Sequence, residues 1–282
     1  MAPERSDGGS PPVIPRDVGR RFREDSEKWP TSGWNQWPRS VGMGGRLASE
    51  SVAGLGRNTH LTPTLYNNGL SQDYRAVVHE LARVDELNRI WLVGYSLGGN
   101  LVLKAAGEAG LSEAALAGAI AVCPTIDPAQ CAKALEEPRN WVYHHHFLTQ
   151  LKRRMRRKAR LFPGKWNLTG LDRIRILSEF EDRYTAPDGG YASGADYYDR
   201  SGACNVLDSV AVPTLIITAQ DDPFIPYSMF TGPQIQRHPT IRVVAPRHGG
   251  HCGFFQWADN GEDPYWAENR IVDFMQDRSI SL

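Results

Sequence analysis

Residues 89–110, RIWLVGYSLGGNLVLKAAGEAG, carry an apolar run into a glycine-flanked serine and then into a stretch of small residues. The run Ile90–Val93 predicts a buried strand, and the residues after Ser96 predict a helix that stops at Gly110. By itself the G-x-S-x-G spacing is weak, since about one chain in ten of this length should contain it by chance. Its context is stronger. A serine between a strand and a helix is the setting of a nucleophile elbow. The expectation for the glycines is steric: side chains at Gly94 and Gly98 would clash where strand and helix approach. The helix N-terminus favours developing negative charge, and the Leu97 N–H is the expected donor to an oxyanion.

Similar segments follow outward from the elbow. Ser71 is the expected cap of a helix whose apolar face is Tyr74, Val77, Val78 and Leu81. LAGAIAVCP predicts a second buried strand, followed by a short helix opening at Asp127 and running through Ala134. PTLIITAQ (213–220) and IRVVAP (241–246) predict a third and fourth strand, and a C-terminal helix carries Trp266, Ile271, Phe274 and Met275. Continuous apolar strands alternating with helices imply an α/β fold, a parallel sheet covered on both faces. Between the second and third strands, at about 136–208, lies a different text. It opens with one long helix, expected to place Trp141, His144, Phe147, Leu148, Leu151 and Met155 along one side. An insertion there projects over the C-terminal strand edge, where open α/β sheets bind ligands.

A serine hydroxyl is a weak nucleophile without a base. HGGHCGF (248–254), after the fourth strand, offers His248 and His251; AQDDPFIP (219–226), after the third, offers Asp221 and Asp222. The order serine, acid, histidine is that of α/β-hydrolases.

These strings resemble the YheT-like α/β-hydrolases, a branch of esterases and lipases, from about Leu61 to the C-terminus. LTPTLYNNGLSQDYRAVV is similar to the family's segment before the elbow strand, and GYSLGGN to its elbow. RNWVY and FEDRYTAPDGGYASGADYY are similar to its cap, DDPFIP and GGHCGF to its acid and histidine loops. The resemblance implies an α/β-hydrolase domain over 61–282 with a helical cap insertion, Ser96 as nucleophile and His251 as base. It favours Asp222 as the acid, with Asp221 the alternative. The implied activity is carboxylic-ester hydrolysis through an acyl-enzyme, with no cofactor and no metal.

Residues 1–60 depart from that pattern. They hold 13 residues of the set Val, Ile, Leu, Phe, Met, Trp and Tyr, too scattered for a strand. The expectation is irregular chain, with a short helix near 16–28 and the N-terminal part of the sheet missing. The family's His-Gly loop, source of a second oxyanion donor, has no counterpart except VGMGGR (41–46). Such a composition fits a shifted reading frame or a misplaced start. The competing reading is therefore a catalytically inactive relic or a truncated product, with low or no activity.

Other features bound the function. Lys plus Arg equals Asp plus Glu at 32 each, so no net charge draws the chain to nucleic acid. No apolar run is long enough to cross a bilayer, and the N-terminus lacks a signal-peptide core; the expected location is cytoplasmic. Cys123, Cys131, Cys204 and Cys252 show no C-x-x-C spacing and read as reduced thiols. His144, His145 and His146 point about 100° apart on a helix and cannot share one ion. KRRMRRKAR (152–160) reads as a solvated helix face or as a patch for peripheral contact with anionic lipid headgroups. The tyrosines of GADYYDRS either line an acyl pocket or pack the cap on the sheet.

Overall fold

The computed structural model describes residues 62–110, 114–257 and 263–276. The expectations for residues 1–60, including the helix near 16–28 and the loop at 41–46, lie outside the described residues. The described strands are β1 (Ile90–Tyr95), β2 (Leu116–Val122), β3 (Thr214–Ile217) and β4 (Ile241–Val244). They form one parallel sheet in the order β1-β2-β3-β4. In the register Tyr95 pairs with Val122, Val122 with Ile217, and Ile217 with Val244. All four strands therefore end level, and the loops beyond them share one edge. β3 and β4 are shorter than the apolar runs suggest. Bonding still continues past them, from Thr218 N–H to Val244 O and from Gln220 N–H to Pro246 O. Pro246 has no N–H to return, so the ladder stops there.

Helix α1 (Ser71–Val84) precedes β1, and α2 (Leu97–Ala109) follows it. Ser71 is not the cap of α1: Leu70 holds that position, and Ser71 is the first helical residue. The Ser71 hydroxyl instead donates to Glu108 Oε2 at 2.6 Å. Glu108 also pairs with the buried Lys104 at 2.8 Å, so the ammonium in the core has an opposite charge, as a buried cation requires. On α1, Val78 is buried and Val77 is exposed. The apolar stripe is thus narrower than its spacing suggested. From Gly99 to Ala109 every residue of α2 except Glu108 is buried, which is why small side chains dominate there. Asp127 caps α3 (Pro128–Glu136), accepting from Gln130 N–H at 3.0 Å. The C-terminal helix Trp266–Met275 packs Phe274 edge-on against Trp91 of β1.

Between β2 and β3 the long helix α4 (Trp141–Leu161) and several short helices have a core of their own, built from Leu148, Met155, Leu171, Ile174, Phe180 and Tyr184 with Leu65. Leu148 and Met155, seven residues apart, define the buried stripe of α4. Trp141 and Phe147 fall off it and are 65% and 42% exposed, contrary to the expected face. The basic run is divided. Lys152 Nζ donates to Ile174 O at 2.6 Å, Lys158 Nζ to Thr62 O at 3.1 Å, and Arg156 pairs with Asp172. Arg153, Arg154, Arg157 and Arg160 remain exposed. Tyr197, in the helix Gly194–Ser201, is buried, and its hydroxyl accepts from Asn68 N–H and Nδ2 at 3.1 and 3.3 Å. Tyr197 thus packs the insertion onto the segment before α1. No described helix is long and apolar enough to cross a membrane.

Asn100 joins these parts. It is fully buried; Nδ2 donates to Asn68 O and Ser201 O at 3.1 and 3.0 Å, and Oδ1 accepts from Ala203 N–H at 2.8 Å. Asn100→Ala strands buried groups on two neighbouring segments and should cost about 2–4 kcal/mol. Calorimetry should show that as a fall of roughly 5–15 °C in Tm; an unchanged Tm would mean that the network carries no stability.

Candidate active site

Ser96 sits between β1 and α2 with φ 53° and ψ −120°. Its N–H donates to Val122 O at 2.8 Å, and its carbonyl accepts from Asn100 N–H at 3.2 Å, so the turn is held on both sides. Among the described residues only four besides glycine have positive φ: Glu86, Ser96, Cys123 and Cys252. Such conformations cost about 1–3 kcal/mol each and tend to gather at functional sites. Ser96 and Cys123 directly follow β1 and β2, and Cys252 follows His251 in the loop after β4. At the elbow a side chain would clash at Gly94 and at Gly99, but not at Gly98. A Cβ on Gly94 would lie 2.2 Å from Gly98 O, and one on Gly99 would lie 2.9 Å from Pro124 Cβ; Gly98 faces open space. Leu97 is the first residue of α2, so its N–H is one of the donors left without an intrahelical acceptor.

His251 comes from the loop after β4. Its Nε2 is 2.9 Å from Ser96 Oγ, and its Nδ1 is 2.9 Å from Asp222 Oδ2. The Asp222 side chain is fully buried. Its other oxygen accepts from Phe224 N–H and Ile225 N–H at 3.1 and 3.0 Å, so the turn before Pro226 aims the carboxylate. Asp221 does something else. It accepts from Gly250 N–H at 2.8 Å and meets His248 Nδ1 at 3.2 Å. The bond from Gly250, more than His248, holds its carboxyl below the usual range. His248 is 89% exposed and reaches no other partner in this cluster.

Two features of the site had no signal in the sequence. Phe224 lies tilted against the His251 ring at 4.2 Å between centroids and meets Tyr143 and Phe147 of α4 at 5.6 and 6.0 Å. The insertion therefore lays half-exposed aromatic surface beside the histidine. The second feature is a pair of thiols. Cys123 Sγ, Cys252 Sγ and a ring nitrogen of His251 lie within 4.8 Å of one another. Burial opposes charging of His251, but the bond to Asp222 and the Cys252 sulfur outweigh it and raise its pKa to about 9. The Cys123 thiol, then His251, lowers Cys252 to about 6 against the opposing effect of burial. Cys123 itself is pushed up, by the neighbouring Cys252 and by burial. The adjacent histidines of α4 stay apart: His144 Nε2 accepts from Leu177 N–H at 3.0 Å, while His145 and His146 are exposed.

Comparison with known proteins adds the following. "Putative esterase YheT" of Escherichia coli (strain K12) is 33% identical over 213 residues, 75% of this chain and 62% of that protein. "Phospholipase ABHD3" of Mus musculus is 28% identical over 215 residues, 76% of this chain and 52% of that protein. "Monoacylglycerol lipase ABHD2" of Homo sapiens is 26% identical over 250 residues, 82% of this chain and 58% of that protein. The chain thus spans only about half to two thirds of the length of these relatives. Residues 30–261 match the profile described as the alpha/beta hydrolase family. With that match over most of its length, and with this parallel sheet and its flanking helices, the chain belongs to the alpha/beta hydrolase family.

Proposed function

We propose that this chain is a serine hydrolase of carboxylic esters. The observation that carries the reading is the hydrogen-bonded row Ser96 Oγ, His251, Asp222, with 2.9 Å at each link. Ser96 attacks the ester carbonyl while Nε2 takes its proton. Asp222 fixes the ring and stabilises its cation. The Leu97 N–H, with the N-terminus of α2 behind it, faces the charge on the tetrahedral oxygen. The alcohol leaves with the proton from Nε2, and water repeats the steps on the acyl-enzyme. No metal or cofactor enters these steps.

The substrate class proposed is a lipid-like ester. The apolar Tyr143, Phe147 and Phe224 beside His251 favour an acyl chain, and the phospholipase and monoacylglycerol lipase among the relatives point the same way. The exposed arginines of α4 suit peripheral contact with anionic headgroups. Hydrolysis of p-nitrophenyl esters of graded chain length tests this reading. Longer acyl chains should be preferred, and Phe147→Ala should raise KM for them while sparing acetate. No hydrolysis of any ester by the folded chain would favour the inactive relic.

The charge on His251 sets the pH dependence. A base must be neutral to accept the Ser96 proton, and this ring releases its own only near pH 9. With chelator present, kcat/KM should therefore climb about tenfold per pH unit up to that point. The neighbouring groups are Asp222 and Cys252, with the Cys123 thiol within 4.8 Å and Asp221 and His248 on the outer side of the loop. Removing the Cys252 sulfur takes away an anion that favours the cation, so Cys252→Ala should move the midpoint down toward the ordinary histidine range. A midpoint that stays in place would show that Cys252 does not tune the base.

A further inference from the structure

Cys123 follows β2 directly and is buried; Cys252 follows His251 and is partly buried. Both hold positive φ, 45° and 63°. Neither is in a disulfide, and neither has a step in the proposed hydrolysis. Their sulfurs and one His251 nitrogen form the one group of three potential metal-ligand atoms within 4.8 Å found among the described residues. We propose that Cys123, Cys252 and His251 form an inhibitory binding site for a thiophilic divalent cation, zinc being the ion that fits best.

The donor set argues for the ion. Two sulfurs and an imidazole suit zinc or copper and discriminate against magnesium and calcium, which want oxygen. Zinc–sulfur and zinc–nitrogen bonds in a tetrahedron bring ligand atoms to separations of about 3.5–3.8 Å. All three pairs already lie within 4.8 Å, so side-chain rotations of about an ångström close the site. The ion takes two thiolate sulfurs and one neutral ring nitrogen, the protons displaced from the Cys123 thiol and the His251 ring go to solvent, and the fourth position is left to water. Both His251 nitrogens are already engaged, Nε2 with Ser96 and Nδ1 with Asp222. Whichever one accepts the metal, one link of the row is lost. The inhibitory consequence rests on the hydrolase reading; the binding does not.

The test uses the full chain, kept reduced by a phosphine and freed of chelator, titrated with cobalt(II) and then zinc. One cobalt per chain should bind with a sulfur-to-metal charge-transfer band in the near ultraviolet, and one equivalent of zinc should abolish the band. Cys252→Ser should weaken binding by at least about a hundredfold, and Ser96→Ala should retain it. Zinc should block fluorophosphonate labelling of the wild type and spare that of Cys252→Ser. A wild-type chain without the charge-transfer band, a band that survives Cys252→Ser, or labelling indifferent to bound zinc would overturn the proposal. If the band behaves as expected and the probe never labels, the ion site is upheld and the hydrolase reading falls.

Discussion

Replacing His251 with alanine is expected to lower ester hydrolysis by about four to six orders of magnitude, whereas His248→Ala should leave it nearly unchanged. The two histidines are three residues apart in one loop and differ in what they reach. His251 lies between Ser96 Oγ and the buried Asp222 carboxylate, so in the proposed reaction its loss removes the proton acceptor and the later donor together. His248 is almost wholly in solvent, beside Asp221. Steady-state kinetics with a soluble ester, measured at the pH optimum, checks both. A crippled His248→Ala with a nearly intact His251→Ala would contradict the account.

Asp222→Asn is expected to cost about 10⁴ in kcat. The amide keeps the shape of the carboxylate but cannot stabilise the imidazolium, and it favours the wrong tautomer. Asp221→Asn should cost far less. Its carboxylate secures the Gly250 N–H and the outer histidine, so its loss loosens the loop without removing the Asp222 charge behind the proposed base. Equal losses in the two variants would mean that the loop, and not the charge, is what matters.

The reach of the sequence follows from how local each feature is. The elbow is a local object: strand, serine and helix are contiguous, so RIWLVGYSLGGN could be read directly. The parallel sheet was legible because each strand is a continuous apolar run. Which glycine is crowded was not legible, since Gly99 is set against Pro124 by the packing of β2 beside β1. Ser71 looked like a cap because caps are read from residue type, but its hydroxyl is taken by Glu108 from the next helix. The choice between adjacent aspartates also depends on tertiary geometry: successive side chains diverge, and only the path of the turn to Ile225 decides which one faces His251. The contacts of Phe224 with α4, and the approach of Cys123 to Cys252, join segments far apart in the chain. No spacing rule marks such pairs.

The central claim is that Ser96 is a nucleophile activated by His251. A fluorophosphonate probe, followed by proteolysis and mass spectrometry of the chelated chain near pH 9, tests it most directly. The account predicts one label per chain, on Ser96, lost in Ser96→Ala and strongly slowed in His251→Ala. A folded chain that takes the label on another residue, or takes none, would contradict it.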